Sequence, residues 1–306
     1  MAFIKRIVLF FAVNTLVVIS ISIILNLLQV RPYLQAHGID YKSLMIFCAV
    51  WGSSGAFISL ALSRIMAKWM MGVKVIDQYT ANPKHQELLR TVEKLSRAAH
   101  LMDTPEVGIY DSYEVNAFAT GPTRKRSLVA VSTGLLNQMS QQELEGVLGH
   151  EIAHIINGDM VTMTLVQGVI NAFVMFFARI LAFALSGMLN QNSKSKSSRP
   201  SPHMYAFFVM VFELIFMFLG MMIIAAYSRF REFRADQEGS LIAGKDAMIG
   251  ALKALKRVIN QRDPRAEKPA FDAMKIASPK PSTFQKLFST HPSLDTRIER
   301  LESRLF

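Results

Sequence analysis

Apolar residues run almost unbroken through four stretches of the chain: 7–28 (IVLFFAVNTLVVISISIILNLL), 43–63 (SLMIFCAVWGSSGAFISLALS), about 161–189 and about 204–227. Each is long enough to cross roughly 30 Å of hydrocarbon at 1.5 Å per residue, so each predicts a membrane helix. Elsewhere the pattern turns periodic. In HQELLRTVEKLSRAAHLM the apolar Leu88, Val92, Leu95 and Ala99 recur at helical spacing after Pro83, which predicts an amphipathic helix. EVGIYD and SLVAVSTGLL read as short β-strands with the turn-rich ATGPTRKR between them. Ser140 and Glu143 have the spacing of a capping box, so a helix is expected from about Gln141 to a stop at Asn157 and Gly158.

These elements predict a mainly α protein with a small β-sheet. Residues 1–63 hold two N-terminal transmembrane helices, 160–227 a transmembrane hairpin, and 64–159 and 228–306 the two pieces outside the membrane. Together the two pieces have the size of one ordinary domain.

Composition agrees: 51% of the 306 residues are hydrophobic and only 19% charged, unlike an ordinary soluble domain. The net charge of +11 does not point to nucleic acid, because its basic residues flank the apolar segments. Lys5 and Arg6, Arg64, Lys68 and Lys74, Lys194, Lys196 and Arg199, and Arg229, Arg231 and Arg234 all sit there, as orientation signals and lipid-headgroup contacts do. The bilayer is therefore the expected partner, with the N-terminus and the bulk of the chain in the cytoplasm. The first apolar run is longer than a signal core and lacks a small-x-small cleavage site, so it reads as a retained anchor. Cys48 is the single cysteine and lies in the second apolar run, which excludes an intrachain disulfide and marks it as a packing residue.

The candidate chemistry begins in LGHEIAHIINGD, residues 148–159. His150 and His154 are one helical turn apart, so both imidazoles leave one face and can approach one ion, while Glu151 is turned about 100 degrees from His150. A zinc with three protein ligands keeps a position for water and lowers its pKa towards about 7. H-E-x-x-H arises by chance in a chain of this length on the order of once in a hundred, so a third ligand decides the matter. Glu232 and Asp236, in SRFREFRAD, are an acidic i, i+4 pair that is unfavourable on a helix unless cations face it. Either Arg229, Arg231 and Arg234 neutralise it, or Glu232 takes the metal while Asp236 accepts a proton from a ligand histidine and fixes its tautomer. The hairpin between His154 and Glu232 returns the chain to the side it left.

Within that hairpin Arg179 lies 11 residues before Asn190 and Glu213 lies 10 residues after His203, at similar depth. Intramembrane charges are expensive unless paired, so the two are expected to form a structural ion pair; the functional alternative is part of a proton or ion pathway.

Taken together, HEIAHIINGDMVTMTLVQG, SRFREFRADQEG, NAFATG (116–121) and THPSLDTRIERL (290–301), around four hydrophobic segments, resemble the HtpX-type bacterial membrane zinc metalloproteases, relatives of the CaaX prenyl proteases. The resemblance implies a zincin-like (gluzincin) catalytic domain holding one Zn2+ per chain through His150, His154 and Glu232, with Glu151 as general base. It also implies Asp236 behind the ligands, and Asn116 and His291 near the reacting carbonyl. Without it, Asn116 reads as a turn residue. His291 reads as the lead-in to a helix whose apolar face is Leu294, Ile298, Leu301 and Leu305. His37, His85, His100 and His203 have no metal-like spacing.

The role the resemblance implies is hydrolysis of misfolded or damaged membrane proteins at the cytoplasmic face of the bacterial inner membrane. A substrate could lie extended along SLVAVST as an added strand. Two rival readings are a prenyl-type processing protease of narrow specificity and a nonenzymatic scaffold with a structural metal. Structural zinc sites usually close all four positions, often with cysteine, which weighs against the scaffold. The proline-rich stretch 260–285 reads as a loop or flexible cover that could gate the site.

Overall fold

The computed structural model describes residues 40–191, 202–261 and 285–303. The expected first membrane segment, 7–28, and nearly all of the stretch 260–285 lie outside the described residues. In chain order the elements are α1 (Tyr41–Met70), β1 (Lys74–Val75), α2 (Pro83–Ala98), β2 (Glu106–Tyr110), β3 (Ala117–Thr120), β4 (Leu128–Ser132), α3 (Thr133–Gln138), α4 (Gln141–Asn157), α5 (Asp159–Gln191), α6 (Pro202–Ala243), α7 (Lys245–Gln261), α8 (Gln285–Phe288) and α9 (Leu294–Glu302). The chain is thus mostly helical with one small mixed sheet, and it divides into two compact units, Met1–Ile58 with Thr164–Ile224 and Ser59–Met163 with Ala225–Phe306.

Among the described residues three helices, not four, are long and apolar enough to cross a membrane: α1, α5 and α6. They coincide with the second, third and fourth apolar runs. In the first unit the helices meet through small residues, as lipid-facing helices do when dispersion rather than water drives them together. A Cβ on Gly52 would come within 2.6 Å of the Ala172 backbone nitrogen, so α1 and α5 touch backbone to backbone there. Cys48 is buried with Tyr41, Met45, Phe176 and Ile180. Arg179 donates from Nη1 to Glu213 Oε1 at 2.7 Å and to the Met175 carbonyl at 2.9 Å, which links α5 to α6. Both charges line a cavity of about 600 Å3, and paired charge is the form in which intramembrane charge is tolerated.

In the second unit the sheet order is β1-β2-β4-β3, with β2 and β4 parallel and the other pairs antiparallel. β4 is hydrogen-bonded on both sides and every one of its residues is buried. This corrects the expectation that a substrate strand could add along SLVAVST: an interior strand has no unpaired backbone groups to offer. The edge beside β4 is β3, whose second half, Ala119 and Thr120, overlaps the turn-rich ATGPTRKR.

α4 packs over this sheet as the centre of the core. Leu148, Ile152 and Ile155 meet Leu88, Val92 and Leu95 of α2, Val129 and Val131 of β4, and Ala251 and Leu255 of α7. Its start is the expected capping box: the Glu143 N–H donates to Ser140 Oγ at 3.3 Å, and the Ser140 N–H to Glu143 Oε2 at 2.8 Å. Its stop is Gly158 at φ 60°, a left-handed conformation that favours glycine.

Two further glycines set how close α6 comes to α4. A Cβ on Gly149 would lie 2.8 Å from Ala243 Cβ, and one on Gly239 would lie 3.0 Å from the His150 nitrogen. The helices therefore cross in backbone contact. α6 itself is one uninterrupted helix of 42 residues, so Glu232 and Asp236 ride on the extension of an apolar helix rather than on a separate element.

Candidate metal centre

His150 and His154 leave the same face of α4, and the close crossing sets Glu232 of α6 directly against them. One nitrogen or oxygen from each of the three lies within 4.8 Å of the others. The two Nε2 atoms are 3.1 Å apart, His150 Nε2 is 3.4 Å from Glu232 Oε2, and His154 Nε2 is 3.3 Å from Glu232 Oε1. All three side chains are buried, Glu232 completely.

Each histidine is held from behind by its own carboxylate. His150 Nδ1 is 3.0 Å from Asp236 Oδ1, and His154 Nδ1 is 2.6 Å from Asp159 Oδ2. A carboxylate accepts, so both Nδ1 atoms carry the proton and both Nε2 lone pairs point inward. The two Nε2 atoms and the Glu232 carboxylate then converge on one point. Glu232 Oε1, buried, has no hydrogen-bond donor among the described residues. A cation is what this arrangement fits, and two imidazoles with one carboxylate are a donor set suited to zinc.

The electrostatics say the same. Burial opposes charge on both imidazoles, yet the carboxylates outweigh it. Asp236 and Glu232 raise the pKa of His150, while Glu232 and Asp159 push that of His154 up to about 10. Such a pocket draws positive charge in, whether protons or a divalent ion.

Glu151 lies on the side of the sheet. Burial raises its pKa above the ordinary carboxylate range, against the pull of the two histidines, and it accepts a hydrogen bond from the Ala119 N–H of β3. The outer edge of β3 therefore looks onto Glu151. Asn116 immediately precedes that strand and is buried, its N–H donating to Ser132 Oγ at 3.1 Å and its carbonyl accepting from the Ser132 N–H at 2.9 Å. His291, in the lead-in to α9, sets Nδ1 2.7 Å from Glu232 Oε2 and keeps part of its ring exposed.

The arginines near Glu232 chiefly hold other groups. Arg229 donates to the Ser289 carbonyl at 2.8 Å and Arg234 to Asp159 at 3.1 Å, and Arg231 stays 3.7 Å from Glu232. The cation on Asp236 is instead Arg297, from α9, through 2.7 and 2.5 Å hydrogen bonds.

Asp159 and Arg297 are the two members that sequence reasoning missed. Asp159 lies just beyond the expected helix stop at Asn157 and Gly158 and carries no pattern that marks it. Arg297 had a signal: it stands between Leu294 and Leu301 on the apolar face of α9, where an arginine needs a buried acid.

A model of peptidase family M48 matches residues 82–305, more than half of the chain. The chain belongs to peptidase family M48. It is 48% identical over 307 residues to the "Protease HtpX homolog" of Bacillus licheniformis, covering 98% of this chain and 99% of that one. The protein of the same description from Bacillus subtilis is likewise 48% identical at the same coverage. Among solved structures, that of S. mikatae Ste24p superposes with a TM-score of 0.59 at 17% identity, covering 92% of this chain and 66% of the longer one, a likeness of fold. With three helices of membrane-spanning length and composition among the described residues, this M48 peptidase is a membrane metalloendopeptidase.

Asp159 offers a first check on the geometry of this candidate centre. In Asp159→Asn the acceptor for His154 Nδ1–H becomes an amide that holds it less strongly. Zinc affinity, read by competition with a chelator, is expected to fall about 10- to 100-fold. An unchanged affinity would show that the 2.6 Å contact does not hold the histidine for the metal.

Proposed function

We propose that the chain is a zinc endopeptidase that hydrolyses misfolded or damaged membrane proteins at the cytoplasmic face of the bacterial inner membrane. One observation carries the reading: His150 and His154, each anchored through Nδ1, turn both Nε2 atoms towards the buried carboxylate of Glu232, with Glu151 alongside. In this reading His150, His154 and Glu232 hold one Zn2+ per chain, within a zincin-like domain made of the pieces 64–159 and 228–306.

Zinc, when bound, supplies Lewis acidity, polarising the peptide carbonyl and making water acidic near neutral pH. Glu151 takes the proton of the attacking water and returns it to the leaving amine nitrogen. Its burial keeps that proton exchange away from bulk solvent. Asp236 and Asp159 keep the histidine tautomers in place. His291 is held to Glu232 through Nδ1, and in its imidazolium form it would have an Nε2–H left to donate to the oxygen that gains charge, while Asn116 lies beside the edge strand to orient the same carbonyl.

The substrate binds extended beside β3, whose outer edge faces Glu151, and so is read by its backbone more than by its side chains. Such recognition suits many unfolded sequences. The Arg179–Glu213 pair is structural, joining two membrane helices, and takes no part in the chemistry.

The test is metal removal from detergent-purified protein supplied with an unfolded membrane protein. Chelation is expected to reduce cleavage by at least about 100-fold, and stoichiometric zinc to restore it. Cleavage that persists in the metal-free protein would overturn the reading.

A further inference from the structure

We propose that Arg297 is a positioning residue for the metal centre, acting through Asp236 on His150. The inference rests on the zinc reading above. Arg297 is among the largest fully buried side chains of the described structure, at 1% exposure. It grips Asp236 as a fork, Nε on Oδ2 at 2.7 Å and Nη2 on Oδ1 at 2.5 Å, and the same Nη2 comes within 3.4 Å of His150 Nδ1. Nη1 lies 3.8 Å from Glu232 Oε2.

A helix anchor alone does not call for this. Burying a guanidinium carries a large desolvation penalty that a leucine in the same place avoids. α9 is, moreover, docked by other contacts: Ile298 and Leu301 pack on Met248 and Leu252 of α7, and the Arg300 guanidinium lies 4.4 Å from the centroid of the Phe233 ring. What the fork adds is direction. Two parallel N–H donors fix the plane of the Asp236 carboxylate, and that plane fixes where Oδ1 meets His150 Nδ1. Through His291 on Glu232 and Arg297 on Asp236, the segment 291–297 thus reaches both carboxylates that α6 brings to the site.

Zinc dissociation constants of the full chain in detergent, obtained by competition with a chromophoric chelator, test this for the unaltered protein, R297K, R297M, D236N and the double variant R297M/D236N. R297M is expected to bind zinc about 10- to 100-fold more weakly, and R297K, which keeps the charge but loses the fork, about 10-fold more weakly. Because Arg297 acts through Asp236, the double variant should bind within about 2-fold of D236N alone. A purely structural role would lower the melting temperature of the metal-free proteins and leave the affinities alone. R297K, a mild change, carries the comparison if R297M does not fold. Unchanged affinity in R297K and R297M, or losses that multiply in the double variant, would overturn the proposal while leaving the metal centre standing. An unaltered protein that binds no zinc would instead overturn the metal centre itself, and this inference with it.

Discussion

Glu151→Gln is expected to leave zinc bound at one ion per chain and to lower cleavage about 10²- to 10⁴-fold, the range that a positioned general base contributes. The side chain keeps its size and its place beneath β3, and the amide oxygen can still accept the Ala119 N–H. None of the three inward-facing donor atoms belongs to Glu151. What disappears is the ability to take a proton from water and return it to the leaving nitrogen. Metal content and cleavage rate must therefore separate in this variant. Retained cleavage would remove Glu151 from the mechanism, and lost metal would mean that its carboxylate helps to build the site.

Gly149→Leu should do the opposite, removing the metal without touching any group that reacts. A Cβ there would meet Ala243 Cβ at 2.8 Å and the Gly239 carbonyl at 3.1 Å, and the rest of a leucine has nowhere to go. α6 must move away from α4, and Glu232 and Asp236 move with it. Overpacking of this kind costs about 1–3 kcal/mol. The second effect is the larger one, because His150, His154 and Glu232 lose their common centre when the helices part. A lowered melting temperature together with zinc content well below one per chain is the expected result. Native affinity in this variant would mean that the crossing is not what sets the ligand distances.

These two variants probe opposite halves of how the site is made. Glu151 and its flanking histidines follow from local helix geometry, and that geometry was legible. The capping box at Ser140 and the glycine stop at Gly158 mark both ends of α4, and the i, i+4 spacing places both imidazoles on one face. The third, second and fourth apolar runs were legible too, because length and composition decide whether a helix can cross a bilayer. The resemblance to HtpX-type proteases brought Glu232 and Asp236 into the same picture.

Other features depend on partners far away along the chain. Nothing within Leu128–Ser132 states that both its edges are occupied, since strand order is settled by which neighbours arrive, and β2 and β3 both do. The edge available for an added strand therefore passed from β4 to β3 only with the sheet order. Asp159 carries no signal along the chain, because its partnership with His154 arises only when the chain turns at Gly158 into α5. Arg297 needed Asp236, 61 residues earlier, to explain an arginine on an apolar face.

Sequence alone thus determined that this is a membrane chain carrying a histidine pair and a general-base candidate on one helix, because periodicity, capping and hydrophobic length are local properties of a polypeptide. Tertiary structure decided the rest: a backbone-close crossing at Gly149 and Gly239, a carboxylate behind each histidine, and an arginine from α9 clamping one of them. Buried charges are stable only when matched in space, and that matching is made by the fold rather than by spacing along the chain.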